Sequence, residues 1–247
     1  MMEHKSLGVI GGMGPKATSV FFDQVIENTV AERDQDHINM VILNHAALPD
    51  RTSVILGKQE ERFLEAVAKD IKLLEAAGVA HIAIPCNTSH YFYNDMQRMT
   101  SVPIINMVDE TLKTIFERFG DHCKVGILAT NGTVSSGVYR NGCEKYGMEL
   151  HEPNAAIQEH VMDIIYNKVK RNLPVEPSEF EGIIGELLDR DNCQCVIIAC
   201  TELSCIPIRP EVAEHCVDAM NVLVERSIEL SGKTSIRSQT KTDEAVL

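Results

Sequence analysis

Ile82-Ala83-Ile84-Pro85-Cys86-Asn87-Thr88 and, in the second half of the chain, Val196-Ile197-Ile198-Ala199-Cys200-Thr201-Glu202 are one phrase written twice. Each is a short apolar run followed by a cysteine and a small polar residue. Such a run reads as a buried strand, and open α/β sheets present their ligand-binding residues at the C-terminal ends of strands. The repetition extends outward from this phrase. Gly8-Val9-Ile10-Gly11-Gly12-Met13-Gly14 is echoed by Gly126-Ile127-Leu128-Ala129-Thr130-Asn131-Gly132, and Val108-Asp109 before one helix by Val217-Asp218 before another. The separation between paired landmarks shrinks along the chain, as in a duplication whose second copy is shorter.

Between these landmarks, strand and helix patterns alternate. Residues 7–10 read as a strand ending in a glycine turn, and Pro15 suits the first turn of a helix carrying Phe21, Phe22, Val25 and Ile26. Strands follow at 40–43 and 81–84. Phe63, Val67, Ile71 and Leu74 have helical spacing and stop at Gly78. A fourth strand is expected over 102–107 and a helix over 110–119. In the second copy, Ile157, Val161, Ile164, Ile165 and Val169 make one helix, and Ser178 with Glu181 forms a capping box for another bearing Ile183, Ile184, Leu187 and Leu188. The pattern predicts an α/β protein of two pseudo-symmetric domains, each with a mainly parallel sheet flanked by helices, and an active site in the cleft between them. Residues 1–105 with about 208–230 form the first domain and 106–207 the second. Residues 231–247 are polar and unpatterned, and read as a flexible tail.

Composition narrows the function. With 44% hydrophobic and 24% charged residues in 247, the chain has the make-up of a soluble globular protein. Its 23 Lys and Arg stand against 36 Asp and Glu, and a net charge of -13 offers no counter-charge for nucleic acid or an anionic membrane surface. No apolar run approaches the ~20 residues of a membrane span, and the opening Met1-Met2-Glu3-His4-Lys5 leads into a pattern too short for a signal peptide. A cytoplasmic location is therefore expected. Eight cysteines are far too few for a disulfide scaffold of this length, so the thiols should be reduced and any special cysteine chemical.

Cys86 and Cys200 are that special pair, since they hold equivalent positions in the two copies. If helices begin at Asn87 and Thr201, their N-termini would favour thiolate over thiol. Cys123, Cys143, Cys193, Cys195, Cys205 and Cys216 read as small core hydrophobes. Cys193 and Cys195, with Cys200 and Cys205, lack the paired spacing of a zinc site, and no histidine lies at a matching interval. The turn Gly11-Gly12-Met13-Gly14 departs from nucleotide-binding fingerprints; it either rests a carboxylate on its amides or only packs tightly. His90 is a general base or a structural hydrogen bonder. Arg51 and Lys168 or Lys170 are isolated cations in an acidic chain.

Taken together, Gly11-Gly12-Met13-Gly14-Pro15, Pro49-Asp50-Arg51-Thr52, Cys86-Asn87-Thr88-Ser89-His90, Ala129-Thr130-Asn131-Gly132-Thr133 and Cys200-Thr201-Glu202 resemble, in order, the motifs of the aspartate/glutamate racemase superfamily, in its aspartate racemase branch. The resemblance spans about residues 7 to 225. It implies catalytic Cys86 and Cys200 facing each other across the cleft, no cofactor, a small acidic amino acid as substrate and a homodimer. It also implies substrate binding by Met13, Gly14, Arg51, Asn87, Thr88, Thr130, Thr133, Lys170, Thr201 and Glu202, with Arg51 for a carboxylate and Lys170 rather than Lys168 as the lysine. Glutamate racemases carry His where this chain has Glu202, which points to aspartate. Ala199 replaces the Gly usual before the second cysteine. Other readings of the same residues are a racemase of broader specificity, a maleate or hydantoin isomerase-like enzyme, and an amino-acid-binding regulator on the same fold.

Overall fold

The computed structural model describes residues 5–236. Leu7-Gly8-Val9-Ile10-Gly11 carries no charge and is buried throughout as β1 (Leu7–Gly11), the central strand of the first sheet. Gly12 follows at φ +89, where a Cβ would lie 2.4 Å from the His45 backbone carbon, so only glycine fits this crossing. Pro15 is the first residue of α1 (Pro15–Asn28), whose Ala17, Phe21 and Val25 are buried. Phe22 and Ile26, grouped with them by sequence, remain exposed.

The chain continues through β2 (Met40–Asn44), α2 (Arg51–Leu56), α3 (Glu60–Ala76), β3 (His81–Ala83), a 3-10 turn over Asn87–Phe92 and α4 (Tyr93–Arg98). Helix α3 buries Phe63, Val67, Ile71 and Leu74 as its spacing requires, at roughly 1.5–3 kcal/mol for each side chain. The first sheet has the order β2-β1-β3 with parallel pairing. The fourth strand expected over 102–107 is reduced to one parallel bridge between Ile82 and Ile104. The ladder ends there because the Ile104 amide is taken by the Gln97 side chain and the Met107 amide by His90.

The next helix, α5 (Met107–Phe119), starts three residues earlier than expected, with the Asn106 side chain capping it. Then come β4 (Lys124–Leu128), α6 (Asn131–Ser136), α7 (Val138–Lys145), β5 (Glu149–His151), α8 (Ala155–Asp163), α9 (Pro177–Gly185), β6 (Cys195–Ile198), α10 (Pro210–Ala213), β7 (Cys216–Asp218) and α11 (Ala219–Leu230). The second sheet is parallel in the order β5-β4-β6-β7, so β4 sits between β5 and β6 as β1 sits between β2 and β3. The third sequence echo is displaced: Asp218 caps α11, whereas Asp109 lies inside the first turn of α5 and the capping residue there is Asn106. The helix read over 157–169 is α8 continued by a π segment, Ile164–Lys168, and a 3-10 turn, Val169–Arg171. No capping box forms at Ser178. Helix α9 begins at Pro177, and Glu181 instead accepts from the backbone amide and Nε of Arg209, both at 2.8 Å.

Helices α5 and α11 exchange sheets. Val108, Leu112 and Ile115 of α5 pack with Val125, Ile127 and Ile197 of the second sheet. Met220, Leu223, Val224 and Ile228 of α11 pack with Leu7, Val9 and Phe21 of the first. Because β7 is the edge strand of the second sheet, the return to the first begins at Ala219 and not near residue 208. Residues 231–236, expected in the tail, are anchored: Ser231 Oγ pairs with His81 Nε2 at 3.1 Å, and Ser235 bridges Thr29. The remainder of that tail, 237–247, lies outside the described residues.

Candidate active site

Cys86 lies just past β3 and Cys200 just past β6, equivalent strands of the two sheets, and both line one cavity. They are 5% and 4% exposed. Met13, Arg51, Asn87, Thr88, Thr130, Lys170, Thr201 and Glu202 line the same cavity, so most of the residues singled out by sequence converge. Thr133 and Gly14 stand behind this lining. The Thr133 hydroxyl closes a buried triangle with Thr88 (2.9 Å) and Thr130 (3.2 Å), and Thr88 and Thr130 are 3.0 Å apart. This triangle joins the two halves of the molecule at the cavity wall. It needs Gly132, since a Cβ there would lie 2.8 Å from Thr52.

The two thiols differ in environment. The Cys200 S–H donates to Glu202 Oε2 at 3.0 Å, and burial together with the Glu202 carboxylate pushes this thiol well up, so Cys200 is protonated at neutral pH. Cys86 instead neighbours Arg51. Burial opposes the charge of Arg51, but Cys86, Asp50 and Glu202 outweigh it and hold the guanidinium firmly ionised. Neither cysteine heads an α-helix, contrary to expectation. Cys86 instead precedes a 3-10 turn over Asn87–Phe92, and a shorter one at Leu203–Cys205 follows Cys200.

Donors surround the cavity. The Arg51 terminal nitrogens are engaged by the carbonyls of Pro49 (3.0 Å) and Met13 (3.2 Å), leaving a buried Nε without a partner. Tyr139 O–H donates to Asn87 Oδ1 at 2.5 Å, so the amide turns its Nδ2 away, and that buried atom is also unpartnered. The Thr201 hydroxyl donates to the Pro85 carbonyl, tying the second cysteine loop to the first. Lys170 Nζ lies 4.0 Å from the centre of the Tyr166 ring and 3.6 Å from Asp50 Oδ2. Burial works against the lysine's charge, but Glu202, Tyr166, Cys200 and Asp50 together raise its pKa. Lys168, the rejected alternative, pairs with Glu179.

Asp50, Thr52 and Tyr166 also line the cavity and were not singled out as site residues by sequence. Asp50 caps α2 through Ser53, and Tyr166 O–H donates to both Asp50 Oδ2 and Thr52 Oγ1 at 3.1 Å. Tyr166 was findable as the aromatic residue one helical turn before Lys170. The glycine turn resolves towards packing at Gly12, whose amide donates to Thr18 Oγ1. Ala199 packs into the second core and does not line the cavity, so its methyl does not narrow the site.

His90 is structural. The Met107 amide donates to its Nε2 at 3.1 Å, which leaves the proton on Nδ1 to meet the Cys86 carbonyl at 2.9 Å. Burial lowers its pKa and keeps it neutral. His90→Leu strands both partners, and is expected to lower the unfolding free energy by about 3 kcal/mol in urea titrations; an unchanged midpoint would contradict this role.

Comparison with known proteins adds four findings. The profile of the Asp/Glu/Hydantoin racemase family matches residues 10–226. The broad specificity amino-acid racemase RacX of Bacillus subtilis (strain 168) is 28% identical over 204 residues, 81% of this chain and 86% of that protein. The aspartate racemase of Picrophilus torridus superposes with a TM-score of 0.80 at 30% identity, covering 94% of this chain and 96% of that one. An aspartate racemase homologue from Pyrococcus horikoshii OT3 shares the fold, with a TM-score of 0.74 at 24% identity and coverage of 92% and 99%.

Proposed function

The chain belongs to the Asp/Glu/Hydantoin racemase family, and from that premise we propose that it interconverts L- and D-aspartate without a cofactor, with Cys86 and Cys200 as the two bases. The observation that carries this reading is the placement of two thiols at equivalent strand ends on one cavity. Racemisation removes the α-proton from one face and returns a proton to the other. Two opposed thiols divide that work: a thiolate takes the α-proton, the C–H electron pair moves into the α-carboxylate as an enediolate, and the second thiol gives its proton to the opposite face of the carbon. The thiolate and thiol have then exchanged places.

The unequal environments support this division. Cys200 rests as the thiol on Glu202, whereas Cys86 stands beside the Arg51 guanidinium. The developing charge of the enediolate needs buried donors, and Arg51 Nε and Asn87 Nδ2 are unpartnered and available. Arg51 and Lys170 supply the local cations that a chain of net charge -13 needs to hold the side-chain and backbone carboxylates of aspartate. Homodimer assembly and a cytoplasmic location are part of the same proposal; among the described residues no helix is long and apolar enough to cross a membrane.

L-aspartate incubated with the protein in deuterated water is expected to gain deuterium at Cα and lose its optical rotation, with no pyridoxal phosphate or metal added. Binding without exchange would identify an amino-acid-binding regulator instead. Activity that vanished on dialysis against a chelator and returned with zinc would overturn the cofactor-free account. A wider substrate range is the second reading, favoured by the likeness to a broad specificity racemase; a panel of L-amino acids in the same exchange assay measures it.

A further inference from the structure

Tyr139 is the largest fully buried side chain among the described residues, and its hydroxyl is out of place in an apolar core. The ring, on α7, packs with Val125, Ile127, Ala129 and Ile197 of the second sheet, where a phenylalanine would fill the same space. Burying a hydroxyl there is unfavourable unless it is matched. Its partner comes from the other half of the molecule: the O–H donates to Oδ1 of Asn87, the residue after Cys86. Burial raises the pKa of Tyr139, so the hydroxyl keeps its proton for that bond. Asn87 lines the catalytic cavity and Tyr139 does not. The Asn87 amide has an acceptor at one end and a donor at the other, and its last torsion is close to two-fold. With Oδ1 held by Tyr139, the buried Nδ2 is the end left without a partner among the described residues.

We propose that Tyr139 is a positioning residue, whose hydroxyl fixes the Asn87 amide with Nδ2 as the end that meets charge developing on the substrate; the proposal rests on the racemase reading of the cavity. Without the hydroxyl the amide can turn over, and an oxygen in place of Nδ2 would repel the enediolate it is needed to stabilise. A core side chain of the second sheet thereby sets a donor carried on the loop that follows the first. Tyr139 touches no reacting atom and acts only through Asn87, so its whole effect on the rate depends on that amide being present.

Steady-state racemisation of aspartate by Tyr139→Phe, Asn87→Ala and the double variant tests this. The Tyr139→Phe ring still fills the core, and kcat is expected to fall by about tenfold with KM little changed, because the donor acts on charge that develops in the transition state. Asn87→Ala should lower kcat by about 100-fold, the scale of a missing oxyanion donor. Added to Asn87→Ala, Tyr139→Phe should lower kcat no further, since the group it positions is gone. Losses that multiply in the double variant, as a loosened core would give, or a parent-like kcat in Tyr139→Phe, would overturn the proposal. Asn87→Asp decides should Tyr139→Phe fail to fold. Tyr139 can still hold one oxygen, the other stands in place of Nδ2, and kcat should fall at least as far as in Asn87→Ala; a faster rate would contradict the assigned orientation. If the parent protein exchanges the α-proton of aspartate but the losses multiply, the positioning role alone is wrong. If the parent exchanges nothing, the racemase reading falls with it.

Discussion

Cys86→Ala and Cys200→Ala are each expected to slow aspartate racemisation by about 100- to 10,000-fold, the span of a missing acid–base group. Inversion needs a proton acceptor on one face and a donor on the other, so losing either thiol stops the cycle and not half of it. Cys193→Ala and Cys205→Ala should leave the rate near that of the parent. Burial pushes the Cys193 thiol up to about 11 and, with Glu202, the Cys205 thiol up to about 12, and neither lines the catalytic cavity. Initial rates by polarimetry compare all four variants. Parent-like rates in Cys86→Ala or Cys200→Ala would remove that cysteine from the chemistry.

Arg51→Lys is expected to weaken transition-state binding of aspartate by about 1–3 kcal/mol. The guanidinium is held by two backbone carbonyls while its Nε is buried without a hydrogen-bond partner, and an ammonium cannot reproduce that planar arrangement. Enantiomers are equal in free energy, so kcat/KM must fall by the same factor in both directions. Progress curves started from L- and D-aspartate measure both. Unchanged kcat and KM in Arg51→Lys would remove Arg51 from the site.

Much of this was legible in the sequence because the chain repeats itself. The two cysteine phrases follow β3 and β6, which are equivalent strands, and the two glycine phrases mark β1 and β4, the strand beside each of them in its sheet. The family resemblance carried by those phrases agrees with the comparisons. What local pattern misjudged depended on partners distant in sequence. Residues 102–107 look like a strand, but the Ile104 amide is claimed by Gln97 and the Met107 amide by His90. Glu181 matches a capping box, yet Arg209 competes for it successfully. Tyr166 and Thr52 meet at the cavity only because the π segment after α8 brings the Tyr166 hydroxyl to Asp50 and Thr52 at the start of α2, a contact that no local spacing encodes. The inequality of the thiols was likewise invisible until the Glu202 side chain could be seen turning back onto Cys200.

The central claim is that the two thiols address opposite faces of one α-carbon, and solvent exchange in the single-cysteine variants tests it most directly. Each variant keeps one base, so in deuterated water each should wash the α-proton out of one enantiomer of aspartate without inverting it. The account predicts opposite preferences, with Cys86→Ala exchanging the enantiomer that Cys200→Ala leaves untouched. Exchange of the same enantiomer by both variants would contradict it.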